Sequence, residues 1–383
     1  MPDFTTIRTW MLRLGVDALE APVERADDWI WMLDHSHQIG QEKVLCVLGI
    51  RASKLPPVGT AIKHEDVRLL ALRPGTRWKR EDMAKVYEEL VERFGPPRAI
   101  LSDGAVELRD GAKPLLIKHE HTLLLGDFKH FAANQLKALF GQDEHFGQFL
   151  SHAARTRSAI QQTELSHLTP PKPKPKSRFM NLAQTLRWAG VIGWLLNHPK
   201  AKARQSLDDE RVETTLGWLR EFAPHVLAWR ECQRVLSLSL TFLNQHGVFP
   251  GVSACLQSRL SQSQSSELSR QLARRLIAFV EESEAPLRPG ERLPISTEIL
   301  ESRFGLYKQL EGQHAQGGFT SLLPALGVLG SAITPDQVKI AFGRTKTQAV
   351  KTWVKQNLGE TFTTRRRPTY AESKSATKQL TAT

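Results

Sequence analysis

Three carboxylates stand where predicted buried elements meet polar surroundings. Asp34 follows the apolar run WIWML, Asp103 follows the run AILS, and Glu301 lies in STEILESRFGLYKQL. Carboxylates that come together without a counter-charge repel each other, and their burial costs several kcal/mol. Bound Mg²⁺ reverses that cost, because it prefers hard oxygen ligands and keeps waters for a reaction. If these three side chains meet, they form a candidate site for divalent metal ions.

The predicted helix at 296–310 also carries a cation in line with its carboxylates. Glu298 and Glu301 are three residues apart and share a face, and Lys308 follows Glu301 after two helical turns. A carboxylate for a metal and a lysine for a phosphate on one face suit phosphoryl chemistry. Glu298 is the alternative ligand, and we prefer Glu301 because of its spacing from Lys308.

Hydrophobic periodicity predicts the elements that must position these residues. Three strands follow an N-terminal helix, with a polar turn at 35–42 between the first two strands. A helix that ends at Gly95, two further strands and a long helix come next. The predicted bounds are 4–20 for the first helix, 29–34, 43–50 and 66–73 for the strands, 79–95 for the next helix, 98–102 and 121–127 for the later strands, and 129–163 for the long helix.

Three consecutive strands suit an antiparallel meander, and strands separated by a helix suit parallel pairing. The sequence therefore predicts an α/β fold with a mixed five-stranded sheet and helices on its faces. This order resembles the ribonuclease-H-like fold, in which the first and fourth strands are parallel neighbours. The resemblance implies that Asp34 and Asp103 lie at the same edge of the sheet.

The chain changes character after this sheet. The segment TPPKPKPKSRF at 169–179 alternates Pro with Lys and should run extended, and residues 180–283 are predicted as almost entirely helical. A loop at 285–294 leads to the helix that carries Glu301. The helical part contains four tryptophans that are predicted as core residues, with a stacking platform for bases as the alternative: Trp188, Trp194, Trp218 and Trp229.

The C-terminal part resembles a helix-turn-helix. Thr334 can cap a first helix whose first position is Pro335, and a break at Gly343-Arg344 precedes a second helix that we predict Thr345 to cap. The tail at 361–383 is polar, basic and predicted to be disordered. The candidate DNA-binding cations of these segments are Lys346, Lys351, Arg365, Arg366 and Arg367, with Lys355 on the same predicted helix.

Composition favours a polyanionic partner. The net charge is +12, and lysine and arginine gain affinity for phosphates by releasing counterions. Three distant cysteines show no metal-ligand spacing and predict a reduced, cytoplasmic setting. The chain shows no signal peptide, no stretch long enough to span a bilayer, no P-loop and no nucleophile elbow.

These motifs together resemble the DDE transposases of bacterial insertion sequences. The matching parts are LDHS at 33–36, ILSDGA at 100–105 and ESRFGLYK at 301–308, which is similar to the family's Glu-x6-Lys/Arg signature. A helical insertion before the Glu helix is also typical of the family. The resemblance predicts an N-terminal helix left from a DNA-binding domain at 1–28, core segments at 29–163 and 296–330, an insertion at 164–295, and a helix pair at 331–360.

The resemblance implies the chemistry. Asp34, Asp103 and Glu301 would bind two Mg²⁺ ions, for which Mn²⁺ can substitute, and Lys308 would contact a phosphate near the element's end. The reaction would be hydrolysis at the end of a DNA element, followed by attack of the freed 3′-hydroxyl on target DNA. The implied partner is double-stranded DNA, bound by a homodimer or larger assembly in the cytoplasm at the nucleoid.

Several alternatives stay open at this point. Asp127 ends the fifth strand and is predicted mainly as a cap for the following helix, where Lys129 or His130 could contact DNA. His35 and Ser36 either contact waters at the metal or shape the turn, and Arg303 is a phosphate contact or a surface charge. The rival functions are a catalytically idle DNA-binding protein on the same scaffold and a nuclease that cuts without joining strands.

Overall fold

The computed structural model describes residues 1–383 except 40–41, 76, 173–181, 199, 201–207, 313–320 and 359–383. Most of the proline-rich segment and the whole basic tail, with Arg365, Arg366 and Arg367, therefore lie outside the described residues. Contacts divide the chain into two compact units, Met1–Asp127 with Ile295–Thr383, and Phe128–Pro294. No helix in the described part of the chain has both the length and the apolar character needed to cross a membrane.

Five strands form one mixed sheet in the order β3-β2-β1-β4-β5. β1 pairs with β2, and β2 with β3, in antiparallel fashion, whereas the β1–β4 and β4–β5 pairs are parallel. The predicted mixed five-stranded sheet and the parallel pairing of its first and fourth strands are confirmed. The strands are β1 (Trp29–Ile39), β2 (Glu42–Arg51), β3 (Arg68–Gly75), β4 (Ala99–Ser102) and β5 (Leu123–Gly126).

The predicted turn at 35–42 is wrong, because β1 and β2 both run through most of it. Asp34 pairs with Cys46 and Ser36 pairs with Val44, so the antiparallel ladder continues past the apolar run. A strand tolerates polar residues because its side chains alternate between two faces, and only one of those faces needs to be apolar at each point. Asp34 therefore lies inside β1 and does not end it.

The α-helices follow the predicted order with one addition. They are α1 (Phe4–Glu20), α2 (Arg80–Phe94), α3 (Val106–Lys118), α4 (Phe128–Gly141), α5 (Glu144–Ile160), α6 (Ala183–Leu196), α7 (Asp209–Leu216), α8 (Ala223–His246), α9 (Val252–Leu260), α10 (Glu267–Glu284), α11 (Glu298–Gly312), α12 (Pro335–Arg344) and α13 (Thr347–Leu358). Short 3₁₀ turns lie at 52–54, 166–168, 217–220, 261–263 and 323–327.

Helix α3 is the element that the sequence analysis missed. It contains Pro114 and Gly111, both of which lower helix propensity. Gly111 is needed because a Cβ there would lie 2.5 Å from the Cβ of Met83 on α2. Leu108 and Leu115 face the core that α2 and α3 build on one side of the sheet. Burial of this apolar stripe outweighs the weak local propensity.

Helix α1 packs against the C-terminal helix pair. The Asp17 carboxylate accepts hydrogen bonds from Arg344 Nε and Nη2, at 3.0 and 2.8 Å, and from Thr345 Oγ1, at 3.1 Å. Arg13 donates to the carbonyl oxygens of Phe342 and Thr345 at the end of α12. The predicted cap at Thr345 is wrong: this residue ends α12, and its hydroxyl is used on α1.

The N-terminal cap predicted for the first helix of the pair is confirmed. Thr334 and Gln337 form a reciprocal capping box, and Pro335 occupies the first helical turn. The predicted pair of short helices around a break is present as α12 and α13. Because α1 packs on both of them, the described structure groups three helices at this point.

The second unit, Phe128–Pro294, is mainly helical, as the sequence predicts. The single helix predicted at 129–163 is two helices, α4 and α5, because Asp143 accepts from Phe146 N–H and caps α5. Asp143 also accepts from Trp229 Nε1 at 2.8 Å. Helix α4 packs with α8 and α10, so the helical unit begins at Phe128, whereas the sequence analysis places the insertion from 164.

The tryptophans of this unit do not share one environment. Trp229 is completely buried, as predicted, whereas Trp188 and Trp218 are half-buried and donate to Leu168 O and Thr156 Oγ1. Trp194 is 54% exposed, so its prediction as a core residue is wrong. Its ring stacks on His198, one turn further along, with 4.3 Å between centroids.

Candidate metal and nucleic-acid site

The register of the sheet brings Asp34 and Asp103 to the same point. The parallel ladder between β1 and β4 ends with the pair Leu33 and Ser102, and the two aspartates are the next residues on each strand. Because parallel strands advance together, the two carboxylates leave the sheet side by side where β4 ends. The predicted neighbourhood of the first two carboxylates follows from this pairing alone.

A tight turn fixes Asp103 at this edge. Asp103 Oδ1 accepts the backbone N–H of Ala105 at 3.0 Å. Gly104 between them has a φ of +82°, a conformation that favours glycine. Helix α3 begins directly afterwards, so the predicted Asp-Gly turn joins β4 to the helix that the sequence analysis did not predict.

The electrostatic environment of Asp34 links the remaining carboxylates to this edge. Burial and the negative charges of Asp103, Glu301 and Asp127 together raise the pKa of Asp34 to about 7, against the lowering effect of the backbone N–H of His35. That N–H donates to Asp34 Oδ1 at 2.6 Å. Four carboxylates from β1, β4, β5 and α11 therefore act on one another in this region. At neutral pH a cation would relieve their repulsion.

Asp127 positions the helix that carries Glu301. Its Oδ2 accepts from the hydroxyl of Thr297 at 2.6 Å and from the backbone N–H of the same residue. Both residues are buried, and Thr297 directly precedes α11. The predicted role of Asp127 was mainly as a cap for the next helix along the chain, whereas its side chain bonds to Thr297. A threonine just before a predicted helix is a typical capping residue, which was the available signal.

The predicted ligands approach one another without forming a closed set. In the described part of the chain, no group of three or more His, Cys, Asp or Glu side chains is positioned to hold a metal ion. Asp34 and Asp103 are half-buried, whereas Glu301 is exposed on the first turn of α11. The negative charge of Glu301 helps to raise the pKa of Asp34. Glu298, the alternative ligand on the same helix, is exposed as well.

Arg303 does not lie on the surface, so its prediction as a DNA contact is wrong. It is 1% exposed, and its Nη2 donates to the His64 carbonyl oxygen at 3.1 Å and to Ser331 Oγ at 3.4 Å. Its Nε and Nη1 have no hydrogen-bond partner among the described residues. Burial lowers the pKa of Arg303, and the nearby Cys46 thiol, opposite Asp34, is buried as well. The guanidinium therefore connects α11 to the segments that contain His64 and Ser331.

Strand alternation separates the two residues that follow Asp34. The His35 ring is 5.4 Å from the Trp78 ring, and its Nδ1 is 3.8 Å from Glu107 Oε1 on α3. Ser36 points to the face that Asp34 occupies, is buried, and its Oγ has no hydrogen-bond partner among the described residues. If the first strand had been predicted to continue through Ser36, the alternation of its side chains would have placed His35 and Ser36 on opposite faces of the sheet.

The predicted DNA-binding lysines occupy separate elements. Lys308 is exposed on α11. Lys346, directly before α13, and Lys351, within α13, are also exposed. Lys129 is half-buried on α4, in the second unit. None of these placements tests DNA binding, which stays a prediction.

Comparisons with known proteins show only distant structural likeness. No family model matches the chain, and no curated protein is similar to it in sequence. Among solved structures, the chain is similar to the Drosophila P element transposase strand transfer complex, at 11% identity over 94% of this chain and 86% of that chain, with a TM-score of 0.37.

Proposed function

We propose that this chain is a DDE transposase, in which Asp34, Asp103 and Glu301 support cleavage and strand transfer of DNA. The observation that carries the proposal is the register of β1 and β4, which sets two aspartates side by side, with the charge of Glu301 acting on the first. The mixed five-stranded sheet supports the proposal, because its strand order and directions are compatible with a ribonuclease-H-like core.

The chemistry of the donors suits Mg²⁺. Half-buried carboxylates that repel one another and have oxygen donors only are a site that a hard cation would stabilise. Asp34 and Asp103 would hold the ion from the strands, and the exposed Glu301 side chain would turn toward them from α11. When bound, two such ions activate an attacking oxygen and stabilise a leaving oxygen.

The chain's own residues supply positioning. The Asp127–Thr297 hydrogen bond holds the start of α11, and the hydrogen bond of Arg303 to the His64 carbonyl oxygen holds its second turn. Lys308, two turns beyond Glu301, is exposed and would bind a phosphate of the DNA that enters the site.

The test is a Mg²⁺-dependent nicking and joining assay with full-length protein and DNA that flanks its gene. Asp34→Asn, Asp103→Asn and Glu301→Gln should each reduce both products by about 100-fold or more, the loss typical of removed transition-state stabilisation. DNA binding by these variants should be retained.

Glu298→Gln is the matched control, because Glu298 lies on the same helix and is equally exposed. It should leave cleavage within about twofold of wild type, since it removes no ligand in this proposal. Equal losses from Glu298→Gln and Glu301→Gln would contradict the assignment of the third carboxylate.

A DNA-binding protein without catalysis is the second candidate. The observation that favours it is that no closed group of three metal-ligating side chains exists among the described residues. Under this alternative, the wild-type protein would bind DNA but show no Mg²⁺- or Mn²⁺-dependent product, and the three substitutions would change nothing.

A further inference from the structure

A groove between α1 and α13 has the chemistry of a phosphate site. It is a cavity of about 270 Å³ lined by Arg8, Lys351, three threonines, one serine and three apolar side chains. The remaining members of this α1–α13 groove are Thr5, Thr9, Thr347, Ser321, Leu12, Val350 and Val354. None of the described residues that line it is acidic, so the charge of this lining is wholly positive.

Two helical faces build this groove. Arg8 and Leu12 are one turn apart on α1, and Thr347, Lys351 and Val354 follow one face of α13. The ion pair of Asp17 with Arg344 joins α1 to α12, the helix that directly precedes α13, and α1 packs on both of them.

Arg8 is fixed in a position that leaves donors available. Its Nη2 donates to Ser321 Oγ at 2.8 Å, while its buried Nε has no hydrogen-bond partner among the described residues. A buried, unpaired guanidinium N–H costs free energy unless a ligand accepts from it. The Nε and Nη2 nitrogens of an arginine lie side by side in one plane, a geometry that matches two oxygens of a phosphate group.

The other donors come from α13. Lys351 is exposed, and neither its Nζ nor the hydroxyl of Thr347 has a partner in the described part of the chain. By contrast, Thr5 Oγ1 donates to Asp3 and Thr9 Oγ1 donates to the Thr5 carbonyl oxygen, so these two hydroxyls can only accept. The free donors thus lie on both sides of the groove.

We propose that the α1–α13 groove binds a backbone phosphate of duplex DNA, a step that rests on the proposed function. Arg8 and Lys351 clamp the phosphate, and Thr347 donates to it from the first turn of α13, where the helix dipole also favours an anion. Leu12, Val350 and Val354 give the wall an apolar face that suits a deoxyribose, which a free phosphate lacks. Lys346, which directly precedes α13, is exposed and adds positive charge beside the groove.

The test measures the affinity of full-length protein for a labelled duplex of about 30 base pairs, by fluorescence anisotropy between about 50 and 200 mM salt. Lys351→Gln should weaken binding about fivefold or more and lower the salt slope by about 1, because one phosphate contact is lost. Arg8→Lys, which keeps the charge but loses the planar fork, should weaken binding by a smaller factor.

Lys355→Gln is the matched control, since Lys355 is equally exposed on α13 and does not line the groove. It should change affinity by less than about twofold. Equal effects of Lys351→Gln and Lys355→Gln would overturn the proposal, because they would mean a general attraction without a site. Lys351 is at the surface, so this comparison stands even if Arg8 variants fold poorly.

Competition separates DNA from smaller phosphates. Inorganic phosphate or a deoxynucleotide, added at constant ionic strength, should displace the duplex no better than chloride does. Displacement that disappears in Lys351→Gln would instead identify a free-phosphate site and contradict the DNA assignment. Asp34→Asn serves as the reference for the enzyme proposal: it should lose catalysis and keep this binding, so the two proposals fail independently.

Discussion

Two aspartates of the same unit, Asp34 and Asp17, show how differently one residue type can be used. Asp17 is buried between α1 and α12, and its carboxylate accepts three hydrogen bonds from Arg344 and Thr345. Asp34 has carboxylates as its charged neighbours, and burial together with their negative charges raises its pKa. Arg303 is a buried cation nearby, but its Nη2 donates hydrogen bonds to the His64 carbonyl oxygen and to Ser331 Oγ.

The difference teaches which aspartate is structural. A buried carboxylate whose charge is balanced by its own chain joins two elements, and its contribution is complete in the folded protein. A carboxylate that is packed beside others is unbalanced until something from outside brings a positive charge. The unbalanced charge at the edge of β1 and β4 is typical of a binding site for a cation. The balanced charge between α1 and α12 is typical of a structural contact between two helices.

The largest expected effect on stability is the pH dependence that Asp34 creates. Its pKa rises from 3.8 to about 7 on folding, so the folded chain binds this proton more tightly than the unfolded chain. The free energy of unfolding must therefore fall as the pH rises from about 4 to about 7, by up to about 4 kcal/mol. Asp34→Asn should remove this fall, which urea unfolding at several pH values would measure.

Magnesium sharpens the same test. At pH 8 the wild-type chain should gain stability when MgCl₂ replaces EDTA, because a bound cation stabilises the ionised cluster. Asp34→Asn should gain much less. If the wild-type and Asp34→Asn chains gave parallel curves of unfolding free energy against pH, or responded equally to magnesium, the ionised Asp34 carboxylate would not destabilise the folded chain. Asp34 would then resemble Asp17, whose charge is balanced within the protein.

The second effect concerns the balanced aspartate. Asp17→Ala leaves the Thr345 hydroxyl and the Arg344 guanidinium without their acceptor, and should cost about 2 kcal/mol. The half-exposed Arg344 keeps access to water, which limits the loss. Urea unfolding between about pH 5 and pH 8 would measure it, and the cost should not respond to magnesium. Glu20→Ala, on the exposed end of the same helix, is the control and should cost little.

The smallest effect tests how the site is held. Thr297→Val removes the hydroxyl bond to Asp127 but keeps the backbone N–H bond, and should cost about 1 kcal/mol of unfolding free energy. Thr297→Ser keeps the hydroxyl and should restore most of the stability. If both variants melt alike, the bond between β5 and α11 is not what positions Glu301.

Much of the sheet could be predicted because its strands are continuous apolar runs. Periodicity located every strand of the described sheet, and the resemblance to the ribonuclease-H-like fold supplied the parallel pairing of β1 with β4 that places Asp34 beside Asp103. The ends of β1 and β2 were missed because polar residues on one face of a strand resemble a turn when they are read along the chain. Helix α3 was missed because Pro114 and Gly111 hide a stripe that only packing against α2 reveals.

The sequence by itself predicted the five strands and most of the helices in their order, and it singled out three carboxylates as a candidate site, because these predictions depend on local pattern and spacing. It could not decide that Arg303 is buried, that Asp127 binds Thr297, or that α1 and α13 form a groove around Arg8 and Lys351. These facts depend on which distant segments pack together. Burial and charge balance are properties of that packing, since each is set by neighbours that lie hundreds of residues away along the chain.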